Sequence, residues 1–117
     1  MPAADLDAWL AARPPQVRDV VQAVRDHVDA LGADVRLEAT RDAVMVKRAR
    51  TFAEVKPRKG RVEVSFVLAR RLADPRVVRT LDMTRTRIAH TVDVTDGGDV
   101  DAQLTDWLTE AYTDSPA

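Results

Sequence analysis

The sequence predicts an α+β fold: an antiparallel sheet of about five strands with N-terminal helices and a C-terminal helix packed on one face. Three observations carry this. Apolar residues recur at helical spacing up to Leu31, alternate with a period of two from Val35 to Thr95, and return to helical spacing from Val100 to Ala111. At 117 residues, residues 1–117 read as a single domain, with 1–14 as an N-terminal helical clasp and 15–114 as the α+β core.

Leu6, Trp9 and Leu10 lie at i, i+3 and i+4, which predicts a short amphipathic helix over 5–12 that Pro14 and Pro15 end. Pro15 suits the first turn of the next helix, where its missing N–H costs nothing. Val17, Val20, Val21, Val24, Val28 and Leu31 form that helix's apolar stripe, and Gly32 is expected to stop it.

Residues 35–39 read as a faint first strand. Val44 and Val46 alternate with Ala43, Met45 and Lys47, and both faces are largely apolar, so this strand is expected to be covered on both sides. Over 61–68 the alternation is cleaner, with Val62, Val64, Phe66 and Leu68 on one side and Arg61, Glu63 and Ser65 on the other. The run from Pro57 to Gly60 supplies a turn, so 51–56 and 61–68 form a hairpin. Asp74-Pro75 reads as a helix start, which predicts a short helical turn over 75–80 and a loop over 81–87. Ile88, His90, Val92 and Val94 share one face of the last strand. Asp96-Gly97-Gly98-Asp99 then turns the chain into a helix with Val100, Leu104, Trp107, Leu108 and Ala111 on its apolar side.

Composition excludes several chemistries. With 4% aromatic residues the core must be built mainly from Val, Leu and Ala, and the absence of cysteine removes disulfides, thiol catalysis and thiolate metal sites. No apolar run approaches 18 residues, and the first ten residues are acidic rather than basic. Neither a transmembrane helix nor a secretory signal is expected, and a cytoplasmic location follows.

Charge is unevenly spread. Residues 1–34 carry three basic and six acidic side chains, 35–87 carry fifteen and six, and 88–117 carry none and seven. A chain of net charge −1 therefore has a strongly basic middle. Only Lys47, Lys56 and Lys59 are lysines, an arginine bias that a GC-rich genome produces, so the position of the arginines matters more than their number. Lys47, Arg48, Arg50, Lys56, Arg58, Lys59 and Arg61 gather around one hairpin, which suits either ion pairing with the acidic helices or a surface for phosphates. Phe52 is the one aromatic among them, which disfavours a single-strand binder that stacks successive bases.

His90 sits among apolar strand neighbours and reads either as a core histidine held by a hydrogen bond or as a pocket residue able to carry a proton or contact a ligand. His27 lies beside the helical stripe, at the boundary of the core. No second His or Glu stands at ligand spacing, so no metal is expected. Counting a calcium loop from Asp93 puts Leu104 where its glutamate should be, so the acids are better assigned to capping, with Asp99 as N-cap and Asp101 in the first turn. No nucleophile setting, phosphate loop or pair of glutamates is present, so no cofactor or catalytic group is expected.

The stretch VMVKRARTFAEVKPRKG (44–60) is followed by VEVSFVL, RIAHTVDV and VDAQLTDWLTEAY. In this order, the strand ending in Val46-Lys47-Arg48, then Arg50 to Ala53 with Pro57, then His90, then Trp107-Leu108 and Ala111-Tyr112 resemble the bacterial domain of unknown function 5655, over roughly residues 15–114. The resemblance implies the same α+β layout and no assigned activity. The expectation is a non-enzymatic binding or interaction module whose contact residues are drawn from Lys47, Arg48, Arg50, Phe52, Lys56, Arg61 and His90. Its partner is a nucleic acid or an acidic protein, with a homodimer, or a ligand pocket around His90, as the alternatives.

Overall fold

A computed structural model describes residues 5–116. Helices α1 (Leu6–Ala11) and α2 (Pro15–Asp29) lead into β1 (Arg36–Ala39), β2 (Val44–Lys47), β3 (Thr51–Arg58), β4 (Arg61–Leu68), β5 (Val77–Thr84) and β6 (Arg87–Val94). A 3-10 turn at Gly97–Asp99 then precedes α3 (Ala102–Asp114). The strands form one antiparallel sheet in the order β1-β2-β3-β4-β6-β5. The α+β class holds, with six strands rather than five.

The extra strand is β5, in the segment expected to be helical turn and loop. Asp74 does make a local turn, its side chain accepting from the Arg76 amide at 2.8 Å and its carbonyl from the Val77 amide at 3.0 Å. From Val77 onward the chain instead pairs with β6 at the sheet edge. Register shifts beside Val78 and Met83 break the alternation that would have marked a strand.

Directly paired residues in an antiparallel sheet point to the same side. Val46, Ala53, Phe66 and His90 stand in one such row, and Val44, Val55, Val64 and Val92 in the next. All eight are buried on the face that carries the helices. Burying each valine there contributes about 1.5–3 kcal/mol. Against them pack Val17, Val20, Val21, Val24 and Val28 of α2, Leu104, Trp107, Leu108 and Ala111 of α3, and Trp9 of α1. β2 is covered on this side alone. Its Met45 is half-buried on the opposite face, which corrects the expectation of two covered sides.

Two local details correct the sequence expectations. Pro57 lies within β3, opposite Val62, so the hairpin closes through Lys59-Gly60, with Gly60 at φ 79°, a value that favours glycine. Capping of α3 is shifted by two residues. Asp101 is its N-cap, accepting from the Leu104 amide at 3.0 Å, while Asp99 forms a capping box with Asp96 around the 3-10 turn.

Candidate functional site

The helices leave the second face of the sheet open, and strand register decides what it displays. The row Glu38, Met45, Glu54, Ser65, Thr91 and Arg79 crosses it, with Glu63 paired to both Lys56 and Asp93 one step nearer the β3–β4 hairpin. The face has two unlike ends. At the end formed by the β2–β3 and β5–β6 turns it is apolar, a trough lined by Met45, Val67, Leu81, Met83 and Ala89. At the hairpin end it is charged.

The charged end is built around Glu63. Its side chain is 4% exposed although no helix covers this face. Its cover is three arginines: Arg79 Nη2 donates to Oε1 at 2.9 Å, Arg58 Nε to the same oxygen at 3.2 Å, and Arg61 Nη2 lies 3.5 Å from Oε2. Arg61 Nε also stands 3.4 Å from Asp93. The hydrogen bond from Arg79 in particular holds the Glu63 carboxyl below its usual pKa against the opposing effect of burial, and the same bond raises Arg79.

Around this cluster the fold gathers further cations from distant segments. Arg13, at the α1–α2 junction, donates from Nη2 to the Arg41 carbonyl at 3.0 Å, tying that junction to the β1–β2 turn. Arg13, Asp42, Lys56, Pro57 and Arg58 line one shallow groove. A second cleft runs between the hairpin and the start of α2, past Pro14, Gln16, Arg58, Gly60 and Arg61. Lys59 sits at the hairpin tip, exposed. One end of the molecule thus presents Arg13, Arg41, Lys56, Arg58, Lys59, Arg61 and Arg79 against Asp42, Glu63 and Asp93.

The residues expected to act together are split between the two ends of β3, which at about 3.3 Å per residue lie roughly 23 Å apart. Lys56 and Arg61 belong to the charged end. Lys47, Arg48 and Arg50 lie at the other, because hairpins return the chain to alternate ends. Lys47 pairs with Glu38 at 3.2 Å, and Arg50 is exposed in the β2–β3 turn. Arg48 is occupied as a clamp. Its Nε donates to Asp34 at 2.7 Å, its Nη1 donates to the Tyr112 and Ser115 carbonyls at 3.2 and 2.7 Å, and its guanidinium lies 4.2 Å from the Tyr112 ring centre. The bond from Arg48 holds the Asp34 carboxyl low, and Tyr112 Oη donates to the other Asp34 oxygen at 2.9 Å. Gly32 is explained here. A Cβ at that position would collide with the Tyr112 hydroxyl, so glycine admits the ring, while α2 itself ends earlier, at Asp29.

Phe52 and His90 are core residues. A bulge opposite Val46 and Lys47 turns Phe52 inward beside Ala53, edge-on to Tyr112 at 5.9 Å, so no base can stack on it. His90 is fully buried and stacked 5.5 Å from Phe66, which stacks in turn on Trp107 at 5.4 Å. Its Nε2 accepts the Leu72 amide proton at 2.9 Å, fixing the neutral tautomer with hydrogen on Nδ1, an atom buried without a hydrogen-bond partner. Burial lowers its pKa, opposed by the carbonyls of Ile88 and Phe66. Of the two readings its sequence position allowed, a core histidine held by a hydrogen bond or a pocket residue, His90 takes the first. His27 is half-buried, its Nε2 2.8 Å from the Thr109 hydroxyl, the boundary position its spacing implied.

Arg13, Arg41 and Arg79 were missed because each is isolated in sequence. Arg58 and Lys59 carried the better signal, flanking the turn glycine of a cation-rich hairpin. Among the described residues no cluster of His, Cys, Asp and Glu is arranged to hold a metal, and no helix is long and apolar enough to cross a membrane. No curated protein and no solved structure matches the chain. A family model does match over residues 6–115, which takes in α1 as well as the sheet and α3, and the chain belongs to that family, the domain of unknown function DUF5655.

Proposed function

We propose that the domain is a binding module that docks a nucleic-acid duplex through its phosphates on the charged end of the open sheet face. The supporting observation is the convergence of Lys56, Arg58, Lys59 and Arg61 around the β3–β4 hairpin, with Arg13 lining the groove beside Lys56 and Arg58 and Arg41 exposed in the β1–β2 turn at the same end. Phosphate contacts need cations at a surface and no base-reading groups, and the open face offers arginines without a stacking aromatic. Duplex backbone is favoured over single strands for that reason. Affinity for duplex DNA, followed by fluorescence anisotropy between 50 and 200 mM salt, should fall with a log–log slope of roughly −4 if four or five phosphates are neutralised. Replacing Arg58 and Lys59 together by alanine should reduce that slope by about 2. Absence of binding at 50 mM salt sinks the reading.

A second reading, self-association, is favoured by β5. This edge strand exposes Val78, Leu81 and Met83, at 50, 65 and 48% respectively, and two of them continue the apolar trough. A second copy covering the trough should give a mass that rises with concentration in light scattering. Leu81→Lys should return it to that of one chain, and a constant monomer mass for the wild type rejects the dimer.

A further inference from the structure

We propose that Arg58, Arg61 and Arg79 form a preorganised receptor for one phosphate group, with Glu63 beneath them as its positioning residue. This rests on reading the face as a phosphate-binding surface.

The starting point is an oddity of burial. Glu63 is 4% exposed on a face without helices, while the arginines above it remain 43, 46 and 55% exposed. The carboxylate is at the bottom and the guanidinium groups form the lid. A guanidinium has five N–H donors. Arg58 uses Nε on Glu63, Arg79 uses Nη2, and Arg61 divides Nε and Nη2 between Asp93 and Glu63, so every fork keeps donors for an acceptor arriving from solvent.

Charge points the same way. With Lys56, which faces Glu63 across the strand pair, four cations stand against the two carboxylates Glu63 and Asp93. The excess of two positive charges is enough for a backbone phosphodiester, which carries one negative charge, or for a phosphate monoester, which carries about −1.5 to −2 at neutral pH. Arginine forks suit phosphate oxygens geometrically, and long side chains already held in place lose less freedom when the ligand arrives.

The alternative is that Glu63 only neutralises charge, and the two roles predict opposite signs. Glu63→Gln keeps the shape and an acceptor oxygen while making the cluster more positive. A mere counter-charge would then give way to tighter anion binding, whereas loss of the organiser gives weaker binding. The test is an NMR titration of the arginine Nε–H resonances with inorganic phosphate. In the wild type the signals of Arg58, Arg61 and Arg79 should move together on one saturating curve, and Glu63→Gln should weaken that binding about tenfold. Arg79→Lys, which retains the charge and loses the fork, should weaken it similarly and serves if the glutamine variant does not fold. Equal or tighter phosphate binding by Glu63→Gln, undiminished binding by Arg79→Lys, or wild-type signals that move independently or without saturation overturn the receptor. Running duplex DNA in parallel separates the two readings. A phosphate response without duplex binding removes the nucleic-acid reading alone, and duplex binding with silent arginine signals removes the receptor alone.

Discussion

A proton on His90 would turn its Nε2 from acceptor to donor against the Leu72 amide and place a charge inside the Phe66–Trp107 stack. Folding therefore selects the neutral ring, and the folded pKa lies below the ordinary 6.5. Above pH 6.5 folded and unfolded chains are both neutral at this site and stability is fully present. As pH falls below 6.5 the unfolded chain binds a proton that the folded chain refuses. Stability then declines by at most about 1.4 kcal/mol per pH unit, levelling off once the folded pKa is passed. Urea denaturation from pH 7.5 to 5 should show this slope, and His90→Gln, which can still accept from Leu72 without titrating, should flatten it; an unchanged slope in the variant assigns the effect elsewhere. The apolar company of Ile88, Val92 and Val94 made a buried His90 legible in the sequence. Its partner was not, because Leu72 lies in an irregular segment 18 residues earlier that no periodicity locates.

At the scale of elements, α3 is fastened at its end by a residue from the β2–β3 turn. Arg48 bonds the Ser115 carbonyl and adds a second donor to the Tyr112 carbonyl, which also accepts the Ser115 amide, while gripping Asp34 after α2. Lysine keeps the charge but cannot spread the same fork over three oxygens. Arg48→Lys should therefore accelerate hydrogen exchange of the amides from Tyr112 to Ser115 severalfold while leaving β4 and β6 protected; unchanged exchange at those amides would show the clamp to be dispensable. The basic pair Lys47-Arg48 was visible in the sequence, but its separation into a cross-strand pair and a helix clamp was not. β5 shows the opposite failure. Its strand character comes from pairing with β6, and within VVRTLDMT two bulges, an Arg and an Asp hide the alternation. The α2 stripe and the β4 alternation, which owe their patterns to one buried face each, were read correctly for that reason.

For the whole molecule, the basic middle of the chain does not become one basic surface. Hairpins send Lys47, Arg48 and Arg50 to one end and Lys56 to Arg61 to the other, and the charged end is completed by Arg13, Arg41 and Arg79. Composition could announce the excess of cations, while only the topology decides which ones meet. The strand order also constrains the path by which the chain folds. β1, β2 and β3 each pair with the next strand in sequence, but β4 pairs with β6, which lies between it and β5. β5 thus has no neighbour until β6 has been formed, and the local pairing of the two makes a hairpin able to reach the β4 edge as a unit. Local pairings of this kind form early, and docking that hairpin closes the longer loop through 69–76. His90 and Leu72 lie on the two sides of that closure, so their hydrogen bond is expected to form when the hairpin docks rather than in the initial collapse of the meander.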